Sequence, residues 1–248
     1  MRPAEELTFC RLGVAPACLL VLFAIATAAQ AQRADPGEVR GLRLGLDAKS
    51  MTLDGFGDLA CGSNGGPPRQ RIEEWSEFGK CRPEESGLRE VAARFDDEDE
   101  YISKAVEDPR VARGKIGTRV AGHPVVLSVL FDRDGVVRQI RFVTDPRAAP
   151  FERRMAHILR RAIMERYGPD GWNCIDRPAA EGETAVGGFF LKQRCEKTES
   201  ARNLMIEARM LRKAGQGDVD PATGEYRAGQ FESWTRFEIT DPEYRKPQ

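Results

Sequence analysis

The stretch from Gly117 to Gly168 constrains the fold more than any other part of the chain. It reads as strand, tight turn, strand and then an arginine-studded helix. Val125, Leu127, Val129 and Phe131 fall on one side of an extended segment, and Val126, Ser128 and Leu130 on the other. Both sides are mainly apolar, as expected of a central strand covered on two faces. Asp132-Arg133-Asp134-Gly135 supplies a hairpin turn in which Gly135 can take positive φ. Val136, Ile140 and Phe142 then set a second strand against the first. Pro146 or Pro150 opens the helix, where a missing N–H is tolerated. Phe151, Met155, Ile158, Leu159, Ala162 and Ile163 recur at helical spacing as a stripe for the sheet, and Tyr167-Gly168 ends the helix.

Leu12 to Ala28 is almost wholly apolar, preceded by Arg11 and followed by Ala29-Gln30-Ala31. Residues 1–31 therefore read as a secretory signal peptide. The apolar core is shorter than the ~20 residues of a spanning helix, although an uncleaved membrane anchor is the rival reading. Cys18 lacks the residues that precede a lipidated cysteine. Removal of the segment leaves 248 − 31 = 217 residues. It takes away Arg2 and Arg11 with Glu5 and Glu6, so the net charge stays at -1. That balance gives no reason to expect a nucleic-acid partner. The expected location is the periplasm or the exterior, with no transmembrane segment after cleavage.

Cys10 and Cys18 leave with the signal, and Cys61, Cys81, Cys174 and Cys195 remain. An even number in an exported chain points to two disulfides. Of the three possible pairings, Cys61–Cys81 and Cys174–Cys195 is favoured. The separations are nearly equal, 81 − 61 = 20 and 195 − 174 = 21, and each pair brackets a similar segment. Each such loop stabilises by roughly 3 kcal/mol on the chain-entropy account. Zinc is the competing use, but there is no CxxC pair and no histidine nearby, so neither metal nor cofactor is expected.

Residues 32–39 read as a flexible mature N-terminus. A short strand is expected over Arg40 to Leu46 and a brief helix over Lys49 to Leu59. Cys61 opens the turn-rich loop CGSNGGPPRQ, which lacks the GK[ST] ending of a P-loop and the GxGxxG of a dinucleotide fold. It therefore reads as a disulfide-tethered loop. Trp75 and Phe78 suit one helical turn, and Leu88 to Phe95 alternates as a strand. The acidic run Asp96 to Glu100 reads as a solvated helix start before Tyr101, Ile102, Ala105 and Val106, with a hairpin as the alternative. It lacks the spacing of a calcium loop. Three more strands are expected over Gly188 to Cys195, Asn203 to Leu211 and Phe231 to Ile239. The connection between the last two is long and polar, and its Asp218, Asp220 and Glu225 are read as turn chemistry rather than a cation site.

The order helix, Cys, Cys, strand occurs twice, and Glu85-Ser86 and Glu199-Ser200 each lie at the same distance after a cysteine. The expected fold is α+β: antiparallel sheets, each packed by one or two helices, in two disulfide-stabilised modules. These are 40–116 and 117–241, followed by a tail at 242–248.

The segment GLRLGL, from Gly41 to Leu46, resembles the first strand of the small envelope modules typified by the outer-membrane lipoprotein BamE. Tyr167-Gly168 is similar to the helix ends of such proteins. Two tandem modules, each with a disulfide, also resemble the beta-lactamase inhibitory protein. The resemblance implies an envelope assembly or inhibitory role and carries over no functional residue. The chain from Arg33 onward departs from BamE in lacking a lipidation cysteine.

Catalytic chemistry finds little purchase. The two histidines are His123, at a strand entrance, and His157, on the arginine side of the helix, and no GxSxG elbow is present. A spatially assembled carboxylate pair stays open as an alternative. No catalytic residue is assigned, and the chain is expected not to be an enzyme. The stronger lead is basic: Arg147, Arg153, Arg154, Arg160, Arg161 and Arg166 lie on or beside the central helix, opposed by Glu152 and Glu165. They read either as a solvated face or as a surface for anionic groups, which suit the planar guanidinium fork. The expected function is an exported, non-catalytic binding or assembly protein of the bacterial cell envelope, with an envelope protein or anionic envelope component as partner. An inhibitor of a secreted or periplasmic enzyme is the alternative, and an envelope-polymer hydrolase a third reading.

Overall fold

Alternating apolar residues in the second half of the chain make long strands, and these strands dominate the protein. The computed structural model describes residues 39–95, 118–217, 219, 222–225 and 230–245. They belong to one compact unit, Pro36–Gln248. The strands are β1 (Phe56–Cys61), β2 (Arg89–Phe95), β3 (Arg119–Val120), β4 (His123–Phe131), β5 (Val137–Thr144), β6 (Asn173–Asp176), β7 (Leu191–Glu199), β8 (Arg202–Leu211) and β9 (Glu232–Thr240). They form one antiparallel sheet in the order β1-β2-β4-β5-β9-β8-β7-β6, with β3 paired to β4. The expectation of separate sheets is thus corrected. The β2–β4 ladder, from Arg89↔Phe131 to Ala93↔Leu127, carries the sheet across the expected boundary at 116/117.

One face is closed by two short helices, α1 (Pro150–Arg154) and α2 (Ala156–Arg166). The inward residues of α2 share one buried core with the sheet, which gives it Leu127, Val129, Ile140, Phe142, Leu204, Ile206, Phe237 and Ile239. The core continues under β1 and β2 to Trp75, in a 3-10 turn over Trp75–Lys80. The expected strand at Leu88 to Phe95, the two-faced central strand, the hairpin and the last three strands are all present. The acidic run and the element proposed after it, from Asp96 to Val106, lie outside the described residues, as do Asp218 and Asp220.

Four local expectations fail for identifiable reasons. Arg40 to Leu46 is not a strand, because Arg40, Gly41 and Gly45 all take positive φ. The segment instead turns and hydrogen-bonds to the start of β5 through Gly45 and Val137. Lys49 to Leu59 is not a helix. After a 3-10 turn at Ala48–Ser50 the chain swings through Gly55 (φ 74°) into β1. A Cβ at Gly55 would stand 2.9 Å from the Phe95 ring, so glycine is needed for this approach. The helix breaks at Met155, which splits the expected stripe. Ala156, Leu159, Ile163 and Tyr167 face the core, while Phe151 and Met155 are exposed. Gly171 to Cys174 reads as a turn, but Asn173 and Cys174 open strand β6, whose four residues are all exposed and carry no apolar alternation.

The β4–β5 turn gains its rigidity from Asp132. Its carboxylate accepts the amides of Asp134 (2.9 Å) and Val136 (3.0 Å), while Arg138 Nε donates to it at 2.7 Å. Burial alone would raise its pKa, but Arg138 and the two amides hold it below the usual carboxylate range. A depressed folded pKa gives stability that is present above the unfolded value and lost as pH falls through the folded one. Asp132→Ala should therefore cost about 1.5–3 kcal/mol in denaturant titrations at neutral pH and less near pH 3. An equal loss at both values would contradict this account.

Candidate functional site: the open face of the sheet

Opposite the helices, β5, β9, β8 and β7 present their other side chains, and register aligns these into rows. Val143, Arg236, Glu207 and Arg194 form one cross-strand row. Arg141, Glu238, Met205 and Glu196 form the next. Trp234, Arg209 and Lys192 form a third. Opposite charges are also neighbours along β8 and β9, with Arg209 pairing Glu207 at 2.8 Å and Arg236 pairing Glu238 at 2.6 Å. Opposite charges on facing strands each contribute roughly 0.2–1 kcal/mol. The Arg209 guanidinium lies 5.0 Å from the Trp234 ring centroid, a cation–π distance. Of these residues, Arg194, Met205, Glu207, Arg209, Trp234, Arg236 and Glu238 floor a groove of about 690 Å³ walled by Ser63 to Gly66 on one side.

That wall is the glycine-rich loop, and its chemistry explains its composition. The Asn64 and Gly65 amides donate to the Glu90 carboxylate at 2.5 and 3.1 Å. The loop thus cradles an anion, and the anion is a buried side chain of the protein itself. A Cβ at Gly65 would lie 2.3 Å from Val143 Cγ2, so only glycine lets the loop lie this flat on the sheet. Arg236 donates to the Asn64 carbonyl (3.1 Å) and side-chain oxygen (2.7 Å), locking the loop to β9.

Beneath the loop sits Arg141, whose side chain is 4% exposed. It meets Glu84 through both terminal nitrogens (2.7 and 3.1 Å), Glu238 at 2.8 Å and Glu90 at 3.4 Å. Burial would raise the Glu84 pKa, but the Arg141 hydrogen bond and charge hold it below the usual range. The ion pairs therefore close a ring through Asn64, Arg236, Glu238, Arg141 and Glu90 that fixes the groove wall.

The cysteines pair as Cys61–Cys81 and Cys174–Cys195. The first tethers the loop to the 3-10 turn. The second joins directly opposed residues of β6 and β7, tying the edge strand to the sheet. Two disulfides fit folding in an oxidising compartment. Among the described residues no helix is long and apolar enough to cross a membrane.

The six arginines singled out in the sequence do not act as one surface. Arg147 is paired with Asp145 at 2.8 Å. Arg160 hydrogen-bonds Gln193, and Arg166 packs over Tyr167. Arg161 makes an exposed pair with Glu165 at 3.7 Å. Arg153 and Arg154 both lie over the Phe231 ring, 5.9 and 5.4 Å from its centroid. Arg153 also lines the groove, and among the described residues neither of the two pairs with a carboxylate.

The histidines stand apart from this face. His123 opens β4, and His157 has Nδ1 3.0 Å from the Arg154 carbonyl and its ring 4.9 Å from that of Phe189. Burial lowers the pKa of both. Among the described residues no group of three or more His, Cys, Asp or Glu is placed to hold a metal ion.

Apolar alternation along a strand does not reveal the charged pattern of the open face. The signal is present in the other phase, as Lys192/Arg194/Glu196, Met205/Glu207/Arg209 and Trp234/Arg236/Glu238. No family model matches the chain, and neither does any curated protein or solved structure.

Proposed function

We propose that the chain is an exported, non-catalytic binding protein of the cell envelope that takes a protein partner on the open face of its sheet. The observation that carries this reading is the groove floor, where three strands set opposite charges in register around Trp234 beside a wall fixed by buried ion pairs. A pre-formed site of this kind loses little conformational freedom on binding. Tryptophan and arginine are the side chains that most often dominate such interfaces. Because the floor charges are largely neutralised by their own neighbours, the face suits a polypeptide of mixed charge better than a polyanion. The apolar segment Leu12 to Ala28 and the two disulfides support export.

The test uses the chain as bait in an envelope extract beside Trp234→Ala and Arg194→Glu, both changes at partly exposed positions. Loss of the Trp234 ring should weaken the specific complex about 30-fold or more, the equivalent of at least 2 kcal/mol at an interface centre. Equal recovery of the same partner by both variants would remove the groove from the account. Recovery of a single enzyme at fixed stoichiometry, with its activity suppressed, would move the chain to the inhibitor reading.

A further inference from the structure

A second surface goes beyond that reading. Among the described residues six large apolar side chains are exposed, and three of them gather at the start of the helical layer. Phe151 is 70% exposed and Met155 47%, four positions apart across α1 and its end. Phe189, 44% exposed, joins them through His157, whose ring it stacks on and which contacts the Arg154 carbonyl.

Cations flank these apolar tips, and the nearby acids are withdrawn from them. Arg153 and Arg154 lie two and three positions after Phe151 and form no ion pair among the described residues. Among the described residues Arg161, seven positions beyond Arg154, has only its loose pair with Glu165, both side chains being largely exposed. Such a pair is easily given up. Glu152 turns inward onto Arg119 at 2.7 Å, its side chain 13% exposed. From residue 145 to 166 the sequence holds six arginines against Asp145, Glu152 and Glu165, a balance of 6 − 3 = +3.

We propose that this surface docks the chain onto an anionic lipid bilayer. Phe151 and Met155 enter the boundary between headgroups and acyl chains, and Arg153, Arg154 and Arg161 meet the lipid phosphates. Shallow apolar insertion with a cationic rim is the chemistry of interfacial binding. An acidic polypeptide would satisfy the arginines but leave Phe151 and Met155 in water, whereas a bilayer uses both.

Vesicle co-sedimentation tests this with the chain from Gln32 onward, since the described fold lies wholly within the unit Pro36–Gln248. Vesicles of phosphatidylcholine alone are compared with vesicles containing about 30% phosphatidylglycerol, at low salt. Binding is expected to the anionic vesicles and to weaken in high salt. Arg154→Gln combined with Arg161→Gln should reduce it about 25-fold, taking roughly fivefold for each cation. Phe151→Ser combined with Met155→Ser should abolish most of it. All four side chains are exposed or partly so, and an unchanged Tm confirms that each variant folds. Failure of the chain to bind anionic vesicles, or undiminished binding by both double variants, overturns the proposal. Capture by immobilised polyglutamate without vesicle binding also overturns it and assigns the arginines to an acidic polypeptide. Trp234→Ala should still sediment with vesicles, so failure here and failure of the groove reading are separable.

Discussion

Replacing Arg141 by alanine is expected to cost about 3–5 kcal/mol of unfolding free energy, because it leaves buried carboxylates without their cation. In a domain of this size that corresponds to a fall in Tm of roughly 6–20 °C. Glu84, Glu90 and Glu238 all converge on this one guanidinium, and Glu90 is itself buried. The penalty comes from the carboxylates left behind, so it should shrink as pH is lowered and they take up protons. The wild-type protein moves the other way. Glu84 titrates below its ordinary range, so its contribution is complete above that range and is lost as pH falls through its lowered value. Adding Glu84→Gln and Glu90→Gln to the alanine variant should recover part of the loss. A Tm within a degree or two of wild type for Arg141→Ala would show that the cluster is solvated and does not fix the loop.

Trp75→Ala should be of similar size, about 3–5 kcal/mol, the usual cost of emptying a buried indole site. Trp75 is 1% exposed and meets the Phe56 ring edge-on at 5.5 Å and the Phe131 ring at 6.3 Å. Its Nε1 donates to the Thr52 carbonyl at 3.0 Å. The residue therefore joins the 3-10 turn, β1 and β4 at a single point. The sheet is continuous, so the whole chain should melt earlier in one transition, followed by near-UV circular dichroism and calorimetry. Two transitions, with only the lower one displaced, would instead show the halves unfolding independently.

Much of the fold was legible wherever an element buries one phase of its repeat. Leu204, Ile206, Ala208 and Met210 alternate and are buried, and β4 is apolar on both faces because both are covered. Legibility failed where backbone conformation rather than hydropathy decides. Arg40 and Asp58 adopt positive φ without being glycine, and nothing in their neighbours announces it. The break at Met155 is of the same kind. There the Ala156 carbonyl accepts from the Thr235 hydroxyl at 2.8 Å, a partner 79 residues away. The cysteine pairing followed from spacing, but which elements it ties together did not. The arginine run was visible as composition. Its division into paired, stacked and unpaired members depends on acids such as Asp145 and Glu165 and on rings such as Phe231.

The register of β5 on β9 has a consequence for how the chain reaches this state. Gln139 pairs with Thr240 and Val143 with Arg236, so the middle of the sheet is closed by the last strand of the described fold. Strands β1, β2, β4 and β5 can assemble first, but they then hold an apolar strand edge open until β9 arrives. Pairings this distant in sequence form slowly, and an unpaired edge is a template for other chains. A chain delivered from its N-terminus waits longest at that point. Holding factors that mask extended apolar strands should therefore raise the yield of folded protein more than faster disulfide formation would.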